Sequence, residues 1–319
     1  MTEPFVRPDV RAFLDFLNNA PGPKLSQIPI GEARAMMRTQ RALADAEPTP
    51  LAVVRDLAVP GPAGDVPIRF YDAREQRQAG PALIYFHGGG FVLGDLDSHH
   101  PICTEIADVL DMPVIAVDYR LAPEHPWPAA PDDCEAVARW VAQSPDALGR
   151  QVDALVLAGD SAGGALTAIT TLALHKNAAA VPVIAQWPLY PVVDMDEGRN
   201  TASYRQFGEG YLLNAESMAW FDRSYAADTQ SWRAAPMKAD LSGLPPTLVT
   251  TAGLDPLRDQ GRLYAAALVA AGVETIYQEA AGIVHGFVNL RKAVPSAARD
   301  IADGLAAFRL LIERGRMRK

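Results

Sequence analysis

The sequence predicts an α/β protein: a mostly parallel central sheet flanked by helices, with a helical cap. Three observations predict it. Short apolar runs recur at Ala82 to Phe86, Val114 to Val117, Ala154 to Ala158 and Val183 to Trp187, and continuous rather than alternating hydrophobicity suits strands buried on both faces of a parallel sheet. The stretches between them, such as Asp132 to Ala142 and Ala162 to Lys176, have helical spacing. Two further strand candidates, Thr247 to Ala252 and Glu274 to Gln278, flank a helix from Arg258 to Ala271 that stops at Gly272. Together these give the β-α-β rhythm of an open sheet.

In chain order, residues 1–46 carry helical spacing at Ala33, Met36, Met37, Leu43 and Ala44 with no strand nearby to pack on. Leu51 to Val59 and Val66 to Tyr71 are separated by PGPAGD, a turn signal, and are expected to form an antiparallel edge hairpin. Residues 196–240 interrupt the rhythm with a cluster of aromatics: Tyr204, Phe207, Tyr211, Trp220, Phe221, Tyr225 and Trp232. A helix there is expected to start with Asn214 as N-cap, with Glu216 at the positive end of its dipole. The expected division is therefore a core of residues 47–195 and 241–319 and a cap of residues 1–46 and 196–240.

Composition narrows the function classes. A formal net charge of −9 disfavours a phosphate-tracking surface, so nucleic acid is not an expected partner. The basic ending Arg314, Arg316, Arg318 and Lys319 has a plain role as solvated charge at the end of a C-terminal helix. The stretch Ala154 to Leu174 is interrupted by Asp160 and glycines, whereas a membrane span needs roughly 20 consecutive apolar residues, so no stable membrane association is expected. The first residues contain no uninterrupted apolar segment of the secretory kind. Cys103 and Cys134, a lone pair in a large chain, are expected to be reduced. A cytoplasmic protein is the resulting expectation.

The chemistry starts at GDSAGG, residues 159–164. A G-x-S-x-G pattern gains meaning when a strand runs into it and a helix leaves it. Here a strand ending at Ala158 and a helix starting near Ala162 force a sharp turn at Ser161, and a side chain at Gly159 or Gly163 would collide with the crossing chain. The serine then projects from the carboxyl edge of the sheet, where open α/β folds place ligands. A serine hydroxyl is a poor nucleophile alone and needs a histidine base and a carboxylate to orient it.

Six histidines compete for the base. His175 falls in the last turn of the helix after Ser161 and reads as a dipole partner. His99 and His100 lie near Asp97 and Cys103, but their spacing matches no metal pattern. His125 is boxed by prolines, and His87 precedes three glycines. His285, in the loop after the last strand candidate, stands where a base reaching the carboxyl edge belongs. For the acid, the order Ser, Asp, His points between residues 161 and 285. Asp255, just past the strand TLVTTAGL, is preferred to its competitor Asp194, and Asp259 reads as a helix-start charge. HGGG, residues 87–90, follows an earlier strand and supplies backbone N–H groups for an oxyanion, with the N–H of Ala162 as a third donor.

HGGG, DYRLAPEHPWPAAPDD, GDSAGG, GLDPLRD and HGF, running in order from about residue 80 to 290, together resemble the hormone-sensitive-lipase family of α/β-hydrolase carboxylesterases. The resemblance implies Ser161 as nucleophile, His285 as base, Asp255 as acid, and Gly89, Gly90 and Ala162 as oxyanion donors. It also implies a cap built from the N-terminal helices and the 196–240 insertion, a homodimer, and a small-molecule ester as substrate, with short to medium acyl chains and aryl esters favoured. No metal or organic cofactor is expected. An amidase or acyltransferase would use the same triad, and a small-ligand receptor can be built on the same fold. Beyond the motifs, Asp160 is expected to bond nearby backbone and Glu124 to be a buried hydrogen-bond partner. Trp187, Phe207 and Tyr211 are the expected pocket walls.

Overall fold

The first elements of the chain are two helices, α1 (Pro8–Asn19) and α2 (Ile30–Ala44), followed by a hairpin of β1 (Val53–Gly61) and β2 (Gly64–Asp72). The computed structural model describes residues 3–20 and 22–318. An alternating series follows: β3 (Gly80–Phe86), α3 (His100–Val109), β4 (Val114–Val117), α4 (Ala129–Ala142), β5 (Val152–Asp160), α5 (Ala162–Lys176) and β6 (Val183–Leu189). Two helices then interrupt it, α6 (Ala202–Phe207) and α7 (Ala215–Tyr225). The series resumes with β7 (Thr247–Leu254), α8 (Arg258–Ala270), β8 (Thr275–Val284) and α9 (Ala297–Met317).

The eight strands lie in the order β1-β2-β4-β3-β5-β6-β7-β8. From β4 to β8 every neighbouring pair is parallel, whereas β2 pairs antiparallel with both β1 and β4. The α/β-hydrolase fold expected from the sequence, a mostly parallel sheet with flanking helices, is the one present. Its strands read as unbroken apolar runs because both faces are covered. Leu83 and Tyr85 of β3, and Ala154, Val156 and Ala158 of β5, pack with α3 and α9. The intervening Ala82, Ile84 and Phe86, with Leu155 and Leu157, pack with α4 and α5 on the opposite face. Residue parity along each strand thus decides which layer a side chain joins.

Local signals act as expected at several ends. Asn214 caps α7, its side chain accepting from the Ser217 N–H at 2.9 Å, and Gly272 follows α8 at φ 79°. Cys103 and Cys134 are buried and unbridged, and burial pushes the Cys103 thiol well above its ordinary range. Among the described residues no helix is long and apolar enough to cross a membrane. Of the basic ending, Arg318 donates to Glu274 at 2.6 Å and Arg314 pairs with the same carboxylate; Lys319 lies outside the described residues.

Ionic ties hold the N-terminal helices to α9 and to the segment that leads into it. Arg7 grips Asp300 of α9 with two hydrogen bonds of 2.6 and 2.9 Å. Asp45, just past α2, receives two from the buried Arg291 at 2.7 and 2.9 Å, and Arg291 also pairs with Glu105. Removing one partner of a buried pair leaves an uncompensated charge and costs about 3–5 kcal/mol. Arg291→Ala is therefore expected to lower the thermal unfolding midpoint markedly, with Arg291→Lys falling between it and the native protein. A midpoint for Arg291→Ala equal to the native value would show that the pair contributes nothing.

Candidate active site

The strand-to-helix turn expected at GDSAGG is built between β5 and α5. Ser161 sits there at φ 56° and ψ −116°, a conformation in which an ordinary residue is strained. It persists because its surroundings leave no alternative. The Ser161 N–H donates to Leu189 O at 2.9 Å, and Ser161 O accepts the first helical bond from Ala165 N at 3.0 Å. A Cβ on Gly163 would strike the Phe86 carbonyl, so only glycine lets α5 pass this close to β3.

His285 follows β8 directly. Its Nε2 lies 2.8 Å from Ser161 Oγ, and its Nδ1 lies 2.7 Å from Asp255 Oδ2. Asp255 is fully buried, and its other oxygen accepts from the Leu257 N–H at 2.8 Å. The two residues meet because of a register shift. Ala252 pairs with Ala280 but Leu254 with Val284, so two extra residues of β8 are taken up and His285 is drawn back to the position beside Asp255. Asp194, the competitor, is used otherwise: its Oδ1 accepts from the N–H groups of Asp196 and Glu197 at 2.9 and 3.0 Å, closing a turn.

Gly89 (φ 131°) and Gly90 (φ 63°) line the same cavity as Ser161, Ala162 and His285. Ala162 is the first residue of α5, where helical N–H groups have no partner within the helix and the dipole favours negative charge. The glycine loop is tied to the serine turn by Asp160. One oxygen of that carboxylate accepts from the Gly88 N–H and the Tyr85 hydroxyl, both at 2.9 Å, and lies 3.3 Å from His99 Nε2. The expectation that Asp160 bonds nearby backbone holds for Gly88, but Tyr85 and His99 were not foreseen, since nothing local in the sequence joins them. Burial opposes its ionisation, yet the His99 imidazole and these donors hold the carboxyl well below the ordinary range. His87 stacks on Tyr119, and burial, then the neighbouring His99, push it down to about 4.

The cavity holds about 600 Å³. Its walls come from α1 (Phe13, Leu17), α2 (Met37, Arg41), the region around α7 (Leu213, Met218, Phe221) and the glycine loop. The expected wall residues lie elsewhere. Trp187 is fully buried under α9, with its ring 5.3 Å from Phe308 and its Nε1 donating to Thr250 Oγ1 at 2.9 Å. The reason is parity: Ala185, Trp187 and Leu189 point to the α9 layer, away from the cavity. Phe207 is buried against Tyr211 at 5.1 Å and beneath the Arg258 guanidinium at 5.0 Å. The insertion contributes Phe221 instead, whose ring occupies the space a Gly90 side chain would need. Glu124 is corrected too: it is exposed, and it tethers α2 through paired hydrogen bonds from Arg34 at 2.9 and 2.7 Å. Among the described residues no group of three or more His, Cys, Asp or Glu side chains could hold a metal ion.

Comparison with known proteins agrees with this fold. A family model described as the α/β hydrolase fold matches residues 83–289. The chain is 38% identical to the carboxylic ester hydrolase LipN of Mycobacterium tuberculosis over 86% of this chain and 75% of that protein. It is 35% identical to an ethyl acetate hydrolase of Pseudomonas putida over 92% and 95% of the two chains. A solved ester hydrolase from the metagenome of Lake Arreo superposes with a TM-score of 0.90 at 35% identity, covering 96% of this chain and 98% of that one. The chain belongs to the α/β-hydrolase fold family and, within it, to the hormone-sensitive-lipase group of serine carboxylesterases.

Proposed function

We propose that Ser161 is the nucleophile of this carboxylesterase, His285 its general base and Asp255 the carboxylate that orients His285. The observation that carries the reading is the unbroken hydrogen-bond chain from Ser161 Oγ through both nitrogens of His285 to the buried Asp255, at 2.8 and 2.7 Å. His285 takes the serine proton as Oγ attacks the ester carbonyl. Asp255 holds the ring in the tautomer with Nδ1 protonated and stabilises the imidazolium. The N–H groups of Gly89, Gly90 and Ala162 receive the negative charge that develops on the former carbonyl oxygen, a type of donor worth about 3–4 kcal/mol each when removed singly. The alcohol leaves with the proton from His285, and water then releases the acid from the acyl-enzyme by the same steps.

Segments 1–46 and 196–240 act as a cap over this site. Support comes from the cavity walls that both segments supply and from the contact between them, where Lys24 pairs with Glu216 at 2.8 Å. The substrates are esters of short to medium acyl chains, aryl esters included; the cavity volume of about 600 Å³ and the ethyl acetate hydrolase relative support this. The reduced, buried cysteines agree with a cytoplasmic location. A homodimer is supported by the sheet edge at β8, where Tyr277, and Leu263 and Val269 on the adjacent α8, are exposed.

Two outcomes are expected. Against 4-nitrophenyl acetate, butyrate, octanoate and palmitate, the native protein cleaves the short esters, and Ser161→Ala loses kcat by about 10⁴-fold or more; equal rates for the two proteins would reject Ser161 as nucleophile. Trp187→Phe, which forfeits the bond to Thr250 and some packing under α9, lowers stability by about 1–2 kcal/mol and leaves the acyl-chain ranking as it was. A reordered ranking would return Trp187 to the pocket.

A further inference from the structure

The cavity at Ser161 is apolar except for a few groups, and most of those are already engaged. Asp160 is occupied by Tyr85, Gly88 and His99, and Asp222 is ion-paired with Arg199. Arg41 differs. It projects from the last turn of α2 into the cavity wall, part-buried, and no carboxylate of the described residues lies within ion-pair distance of it. Its side chain makes one hydrogen bond to another described residue, from Nη1 to Gly286 O at 3.3 Å. The remaining donors of a fork that has five N–H groups have no partner among the described residues.

A cation at a helix C-terminus has an ordinary explanation, since it complements the dipole. That role is filled equally well in open solvent and does not require a place in an apolar cavity. Arg41 is also held next to the reacting groups, because Gly286 directly follows His285. Its charge contributes to the field at Asp160, the residue before Ser161, although burial and His99 come first there. A guanidinium fork in a mostly apolar wall is suited to a planar carboxylate, which it can bind through two parallel hydrogen bonds.

The side of the substrate that meets Arg41 follows from the mechanism proposed above, on which this inference rests. His285 hands its proton to the departing alcohol oxygen, so the alcohol lies on the His285 side of Ser161, toward Gly286. We propose that Arg41 binds a carboxylate carried by the alcohol portion of the ester, so that acylated hydroxycarboxylic acids are a preferred substrate class. Hydrolysis of such a compound breaks the bond between acyl carbon and alcohol oxygen, adds one water, and releases the short acid and the hydroxycarboxylate.

The test compares 3-acetoxypropanoate, 4-acetoxybutanoate and 4-acetoxybenzoate, each with its neutral carboxamide partner, on the native enzyme, Arg41→Gln and Arg41→Lys. The readout is the ratio of kcat/KM for the carboxylate to that for its carboxamide, which cancels any general loss of activity. For at least one spacer the native ratio should fall about tenfold or more in Arg41→Gln and be partly kept in Arg41→Lys. It should also fall as salt is raised to about 0.5 M. A ratio unchanged by Arg41→Gln at every spacer overturns the proposal. Should that variant fail to fold, a native ratio indifferent to salt overturns it instead. Cleavage of the carboxamide partners without any such dependence rejects the anion site and leaves the esterase mechanism standing, whereas a native protein that cleaves neither these nor simple esters rejects the mechanism itself.

Discussion

A buried negative charge organises the middle of this molecule. Asp160 is 1% exposed, and an ionised carboxylate that far from water is tolerated only where donors replace its hydration. The donors come from separate places: Tyr85 from β3, the Gly88 N–H from the glycine loop and, at 3.4 Å, the Tyr190 hydroxyl from beyond β6, while the His99 imidazole from the entry to α3 lies 3.3 Å away. Meeting that demand fixes the glycine loop against the strand end that carries Ser161. Ser161 and the glycine loop beside it are thereby set by one electrostatic constraint, which acts before any substrate arrives.

Above that rigid floor the walls are of a different kind. They are made of helices joined to the core by ion pairs and by the apolar faces they turn inward. Arg34 reaches both Glu124 and the carbonyls of Val92 and Ala122, and the Asp45–Arg291 pair anchors the end of α2 six residues beyond His285. The Phe91 and Tyr225 rings stack at 3.9 Å, joining the glycine loop to α7. Each tie links a wall helix to a loop of the site, so the shape of the cavity and the placement of the reacting groups are coupled through a small number of contacts.

The sheet and the meeting of Ser161, His285 and Asp255 were legible in the sequence because their signals are local. Val114 to Val117 and Ala162 to Lys176 have the bounds that their apolar patterns gave, and GDSAGG needs only a strand before it and a helix after it. The walls were not legible, because they depend on which layer a side chain joins. Trp187 lies near the end of β6, close to the site, but parity turns it toward α9. Phe207 and Phe221 belong to the same aromatic cluster, yet one fills a core and the other meets Gly90. Glu124 is charged and follows a proline, which says nothing of whether a partner will reach it from α2, ninety residues earlier.

The pairing of Asp255 with His285 shows how a long-range relation can hide in a local irregularity. With the register of the first half of β7 and β8 continued unchanged, Leu254 would stand opposite Gly282, and His285 would fall two residues beyond reach. The shift between Ala252 and Leu254 absorbs those two residues. It is taken up where Gly282 adopts φ 73°, a conformation glycine enters without penalty. The irregularity is then held from outside, since Arg7 donates from its backbone N–H to Gly282 O at 3.2 Å and from Nε to Ala281 O at 2.8 Å. The N-terminal segment therefore does more than lead into a wall of the cavity: it fastens the distortion that brings His285 beside Asp255, through a contact between residues 274 positions apart in the chain.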